Sequence, residues 1–292
     1  MHILVTGASG FVGQALCRRL LSAGHKITAL VRQGSSAPVG CAALEHGLGD
    51  HGVLTLPKGL DGVAHLAQSR AYRAFPGDAA EMFRVNVAGA QQLLEVSAAA
   101  GVSRFCLVST GTVYEPFLKP LDEDSPLAPT SYLGASKLAA EIVARPFGTV
   151  FPLSILRLFG PYGPDQTGRL VPDLIRRIRN GEAVTLPEHG GGMRFAPTHV
   201  DDICDLMAIA LEQAWTGVYN VASPDALSIE EAAIIIGKAV GRSPQFERKP
   251  SAAPASAAPV VVPQLTRLAQ TYDLARFRPF AAGIAAMISD TH

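Results

Sequence analysis

Short apolar runs alternate with longer stretches of helical periodicity through the first half of the chain. "HILVT" (2–6), "KITALV" (26–31), "GVAHLA" (62–67), "RFCLVS" (104–109) and "FPLSILRL" (151–158) are short and almost continuously apolar, which reads as buried strands. Between them, "FVGQALCRRLLSAG" (11–24) and "DAAEMFRVNVAGAQQLLEVSAAAG" (78–101) carry helical spacing, and each ends in a glycine suited to a C-terminal cap. Strand–helix–strand repetition predicts an α/β fold: a doubly wound parallel sheet with right-handed crossovers and helices on both faces. After about residue 159 the elements shorten and loops lengthen. Helices are predicted over 170–181, 201–214 and 228–241, the last opened by Ser228 and Glu231 in a capping-box arrangement, and a strand over 217–222. This divides the chain into a sheet domain, 1–158, which also receives part of 198–222, and a smaller C-terminal lobe, 159–292. "KPSAAPASAAPVVVP" (249–263) is low in complexity and is expected to be a mobile loop.

Charge excludes several partner classes. Lys and Arg total 25 against 25 Asp and Glu, and aromatics make up 7%, so neither nucleic acid nor an anionic lipid surface is an expected partner. "RRIRNG" (176–181) reads as a solvated helix face. Cys17, Cys41, Cys106 and Cys204 lack the short spacing of a zinc knuckle or redox dithiol and are expected to be buried and reduced. The carboxylates of "HVDDICD" fit a helix N-terminus, those of "LDEDSP" (121–126) fit a surface loop, and no metal is expected. The opening strand leaves no signal peptide and no apolar run approaches a membrane span, so the expected location is cytoplasmic.

Candidate chemistry begins at "VTGASGFVG", where Gly7, Gly10 and Gly13 lie between the first strand and the first helix. Glycines there let the backbone turn sharply, approach a phosphate and pack the helix on the sheet, while free helix N–H groups hold the anion. The context of a βαβ unit makes this a dinucleotide pyrophosphate site. The second strand ends "ALVRQGSS", with Arg32 where an acid would bind ribose hydroxyls; a guanidinium beside Ser35 and Ser36 favours NADP over NAD.

The fragments "TGASGFVG", "HLA" (65–67), "NVAGAQQLLE" (86–95), "VSTGTVYE" (108–115), "GASKLAAE" (134–141) and "LRLFGPYGP" (156–164) together resemble the extended short-chain dehydrogenases, specifically the NAD-dependent epimerase/dehydratase group, over residues 1–240. The resemblance implies a Rossmann-type cofactor domain with a C-terminal substrate lobe, a homodimer, and a small-molecule substrate, mainly a nucleotide-linked sugar. It places Ser9, Phe11, Val12, Leu66, Ala67 and Asn86 beside the cofactor with the three glycines. It also implies a catalytic Ser/Thr, Tyr and Lys, in which the lysine and the cofactor's charge lower the tyrosine pKa. Thr110 and Lys137 match.

The tyrosine is out of register. Helical positions four apart differ by about 40°, whereas positions five apart differ by about 140°. Tyr132 lies five before Lys137, and the matching position is Leu133. Three readings stay open: an adjusted first turn that swings Tyr132 back, another proton donor (Tyr114, Glu115 or His199), or a cofactor-binding protein without redox chemistry. A second departure is Arg194, five before His199 where the resemblance implies four, with Phe195 in the expected place. Tyr114, Arg194 and His199 are candidate substrate contacts, and the shift of Arg194 makes a smaller hydroxy- or keto-substrate more plausible.

Overall fold

The computed structural model describes residues 1–50, 52–117, 121–250 and 259–289. Strands β1 (His2–Thr6), β2 (Lys26–Val31), β3 (Ala42–Glu45), β4 (Gly62–His65), β5 (Phe105–Thr110) and β6 (Leu153–Leu158) pair in parallel, and a later strand, β11 (Gly217–Val221), completes a seven-stranded sheet in the order β11-β6-β5-β4-β1-β2-β3. Strand order therefore reverses between β1 and β4, the point where open α/β sheets leave a crevice beyond the strands' carboxyl ends. The apolar runs become strands because the sheet is covered on both sides: β4 and β6 are buried at every position.

Helix α1 (Phe11–Ser22) follows β1. The predicted helix over 78–101 is instead three pieces: α2 (Ala79–Phe83), a π-helical turn (Arg84–Ala88) and α3 (Gly89–Ala99). Gly89 lies so close to the preceding loop that a Cβ there would come 2.8 Å from Leu48 Cβ. Helix α4 (Tyr132–Ala144) precedes β6.

The chain packs as two units. The first holds the described residues of Met1–Glu115, Pro126–Leu158 and Cys204–Tyr219; the second holds those of Pro116–Ser125, Phe159–Ile203 and Asn220–His292. The first unit's core is built from Leu4, Leu30, Val63, Leu93, Phe105 and Ile155 among others.

The second unit uses β7 (Pro161–Tyr162), α5 (Leu170–Asn180), β8 (Val184–Pro187), β9 (Arg194–Phe195) and β10 (Thr198–His199). Helix α6 (Val200–Glu212) comes next, and after β11 follow β12 (Leu227–Ser228), α7 (Ile229–Val240), β13 (Phe246–Lys249), β14 (Val260–Val261) and α8 (Phe280–Ser289). Its core gathers Tyr162, Leu174, Ile178, Leu186, Ile236 and Phe280. The capping box at Ser228 and Glu231 forms. The expectation of an unstructured 249–263 needs correction at its ends: Lys249 closes β13, and Val260–Val261 pairs with β9. Its centre, 251–258, lies outside the described residues. Among the described residues no helix is long and apolar enough to cross a membrane.

Candidate active site

The loop after β1 is a cradle that only glycine allows. Gly7 has φ +67°, and a Cβ on it would sit 2.9 Å from both Ala67 N and Leu66 C. A Cβ on Gly13 would collide with Gly7 O and lie 2.8 Å from Ala8 Cα. Gly10 caps α1, and its N–H donates to Gly7 O at 2.9 Å. The loops after β1 and β4 are fastened together by Thr6, whose Oγ1 hydrogen-bonds His65 Nδ1 at 2.7 Å and accepts from Ala67 N at 3.1 Å. The first turn of α1 carries no acidic residue. A closely approaching backbone, the N–H groups of a helix start and the positive end of the helix dipole fit a pyrophosphate. Ser9 is exposed, Phe11 and Val12 are half-buried, and Gln14 Nε2 steadies the loop through Ser9 O at 3.1 Å. Arg32, one residue past β2, is exposed, and Ser35 N donates back to its carbonyl at 2.9 Å.

Lys137 is 4% exposed, and its Nζ donates to Val108 O at 2.6 Å. Burial pushes its pKa down to about 8, partly opposed by the nearby Glu141 carboxylate. Two residues along β5, Thr110 Oγ1 accepts from Thr112 N and Thr112 Oγ1, each at 3.2 Å. His65 is pushed down to about 3 by burial and by the Lys137 charge, so it is neutral at ordinary pH.

Beneath this edge lies a polar network that the sequence reading did not single out. Glu141 is wholly buried and accepts from Arg157 Nε at 3.0 Å, Arg157 Nη2 at 2.7 Å and Ser109 Oγ at 2.5 Å. Arg157 Nη1 donates to the Tyr114 hydroxyl at 2.5 Å, and its guanidinium lies 4.8 Å from that ring's centroid. Ser109 and Arg157 are register partners in β5 and β6. Two local hints existed: a glutamate one helical turn after Lys137, and an arginine inside the apolar run "LSILRL".

Several candidate side chains already have partners within the protein. Tyr114 is 2% exposed, and its hydroxyl accepts from Arg157. Glu115 accepts from Ser131 N at 2.8 Å and thereby fixes the chain entering α4. Asn86 Oδ1 accepts from Ser69 N (2.8 Å) and its Nδ2 donates to Ser136 Oγ (3.0 Å), so its amide is fixed between two protein partners.

No adjusted first turn rescues Tyr132. Ser131 caps the helix, accepting from Gly134 N at 3.1 Å, and α4 begins at Tyr132 itself. The tyrosine ring stacks on Phe75 with centroids 5.5 Å apart and planes at 30°. Leu133 therefore holds the helical position four before Lys137.

Arg194 and His199 belong to the second unit, and both have partners there. Arg194 donates to Glu231 at 3.2 Å and to Ala226 O at 2.5 Å. His199 is 1% exposed, meets the Tyr162 ring edge-on at 5.3 Å, and lies 2.8 Å from Arg278 Nη1 through Nδ1. Burial, with the Arg278 charge, pushes its pKa down to about 4, against the pull of Asp201. The enclosed imidazole is therefore largely uncharged at neutral pH.

A doubly wound sheet with a glycine cradle at its reversal point, and a buried lysine beside a strand-end threonine, defines a dinucleotide-dependent enzyme of the short-chain dehydrogenase type. The chain belongs to the NAD dependent epimerase/dehydratase family, whose profile matches residues 3–222. It is 31% identical to the low-salt glycan biosynthesis protein Agl12 of Haloferax volcanii over 83% of this chain and 84% of the relative. It is likewise 31% identical to the dTDP-glucose 4,6-dehydratase of Streptomyces griseus, over 82% of this chain and 79% of that enzyme. The UDP-glucose 4-epimerase of Thermus thermophilus, solved with NAD, shares the fold with TM-score 0.80 at 24% identity, covering 99% of this chain and 98% of that one.

Proposed function

We propose that this protein transfers hydride at a hydroxyl- or carbonyl-bearing carbon of a nucleotide-linked sugar, using a nicotinamide dinucleotide and an acid/base other than the usual tyrosine. The observation that carries the reading is the pairing of the glycine cradle with Lys137 and Thr110 along one edge of the sheet. A sugar nucleotide is supported by relatives named for dTDP-glucose and UDP-glucose. When bound, the dinucleotide supplies or accepts the hydride.

The residues divide the work as follows. Gly7, Gly10 and Gly13, with the amides of Ser9, Phe11 and Val12, hold the pyrophosphate; the backbone at Leu66 and Ala67 walls the cradle. Arg32, with Ser35 and Ser36, receives a 2′-phosphate, which favours NADP. Lys137 orients the nicotinamide ribose and supplies positive charge. Thr110, already accepting two hydrogen bonds, has its O–H to donate to the reacting oxygen. Leu133 cannot exchange a proton, whereas Lys137, held near 8, exchanges one close to neutral pH. A homodimer follows from the family resemblance, and sedimentation velocity tests it.

Calorimetry with NAD and NADP, followed by turnover assays on UDP-glucose and dTDP-glucose, tests the whole reading. Binding of at least one coenzyme, turnover of a sugar nucleotide, and its loss in Lys137→Met are expected. Coenzyme binding without turnover of either sugar would move the protein to a non-catalytic binding role. Arg32→Ala should weaken NADP at least tenfold more than NAD; an equal effect on both would remove the phosphate assignment.

A further inference from the structure

Two of the four cysteines, separated by more than twenty positions in sequence, meet in the first unit. Cys17 faces inward from α1 and is fully buried; Cys41 is half-buried, immediately before β3. Each thiol bears on the other's ionisation, so the two sulfurs are near neighbours. Independent packing brings the two segments together: a Cβ on Gly40 would stand 3.0 Å from Leu21 Cδ1, and Leu21 lies one helical turn beyond Cys17 on the same face of α1. The Cys41 backbone is held on both sides, by Cys41 N donating to Pro38 O at 3.0 Å and by Ala42 pairing with Thr28. Cys106 and Cys204 are buried elsewhere, Cys204 against Val12 O at 3.8 Å. Loop 32–41, which runs from the end of β2 to this pair, is largely exposed, with Val39 at 96%.

We propose that Cys17 and Cys41 form a two-electron oxidation site, at which a peroxide converts the thiol pair into a disulfide that fastens loop 32–41 to α1. The Cys41 thiolate attacks one peroxide oxygen, giving a sulfenic acid and releasing the other oxygen as water after protonation. The Cys17 sulfur then displaces water from that sulfenic acid. In sum, the two thiols lose two hydrogens and two electrons, and hydrogen peroxide becomes two waters. Cys41 reacts first because solvent reaches it, and Cys17 is placed to resolve it. Burial raises both thiols, Cys17 to about 12, so the reaction is slow at neutral pH and quickens as pH rises.

Oxidation of the native full-length chain with hydrogen peroxide, alkylation of residual thiols and tryptic mapping without reductant is the test. A species joining peptides 1–18 and 33–58 is expected, lighter by two hydrogens than its parts and dissolved by dithiothreitol. The urea midpoint read from Trp215 should rise on oxidation and return on reduction, because the crosslink restricts the unfolded chain. Cys41→Ser should abolish both effects, as should Cys17→Ala. Oxidation of Cys41 to a sulfinic acid without crosslinking, a disulfide through Cys106 or Cys204, or a linked species that persists in Cys41→Ser would overturn the proposal. None of these outcomes depends on the coenzyme or substrate reading.

Discussion

Replacing Glu141 with glutamine should unsettle the first unit more than any change at its surface. The carboxylate is fully buried and satisfies three donors, two from Arg157 and one from Ser109. Neutralising it leaves the Arg157 guanidinium, itself 0% exposed, as a buried charge that keeps its side-chain contact with the Tyr114 hydroxyl. Breaking one side of such a pair costs about 3–5 kcal/mol, since the Coulomb attraction is lost while the desolvation of the surviving ion remains. With a urea m value of about 2 kcal/mol/M, the midpoint should fall by roughly 1.5–2.5 M. The single tryptophan, Trp215, is 7% exposed and lies in the same unit, so its fluorescence reports the transition directly. Glu141→Leu combined with Arg157→Leu should recover at least half of the loss, because no charge is then stranded. A midpoint for Glu141→Gln within about 0.3 M of the native protein would refute the account, as would a double variant weaker than the single.

Three further outcomes follow from the same geometry. Leu133→Tyr puts a phenol four residues before Lys137 and should raise turnover of the responsive sugar nucleotide by about 10²-fold or more; an unchanged rate would mean that a missing phenol does not limit the chemistry. Gly13→Ala drives a methyl into Gly7 O and Ala8 and should weaken coenzyme binding by at least tenfold on calorimetry, against an unchanged affinity if the cradle is not the site. Lys137 titrates near 8 in the folded chain and at the ordinary lysine value of 10.5 when unfolded, so between these pH values the unfolded chain holds a proton that the folded chain has lost. Its contribution to stability therefore rises with pH across that window, by up to about 3 kcal/mol. The stability of the native protein relative to Lys137→Met should improve from about pH 7.5 to about pH 10, and a flat or falling difference would reverse the sign.

The sheet was readable because its central strands are apolar throughout, and burial on both faces demands that pattern. Strand β3 was not: its Ala42–Glu45 run is mostly exposed at the sheet edge and carries no apolar period. The glycine cradle was legible since its requirement is local, a backbone position where any Cβ collides. The break at Arg84–Ala88 was hidden, because a π turn changes hydrogen bonding without changing composition. Tyr114 illustrates the limit most clearly. Its sequence setting suggests a reactive phenol, but its environment is set by Arg157, 43 positions away, and no local pattern encodes that meeting. The register of Tyr132 was decided by counting alone, and the regular first turn of α4 leaves the count unaltered.

Helix α4 is bolted to the sheet at its middle, by Lys137 on Val108 and by Glu141 on Arg157, while its opening turn rests on the Ser131 cap and the Phe75–Tyr132 stack. The anchors at Lys137 and Glu141 thus lie one and two turns further along the rod than its opening residues. Substitutions at the tip can therefore change what Tyr132 and Leu133 present while the moorings at Lys137 and Glu141 stay intact.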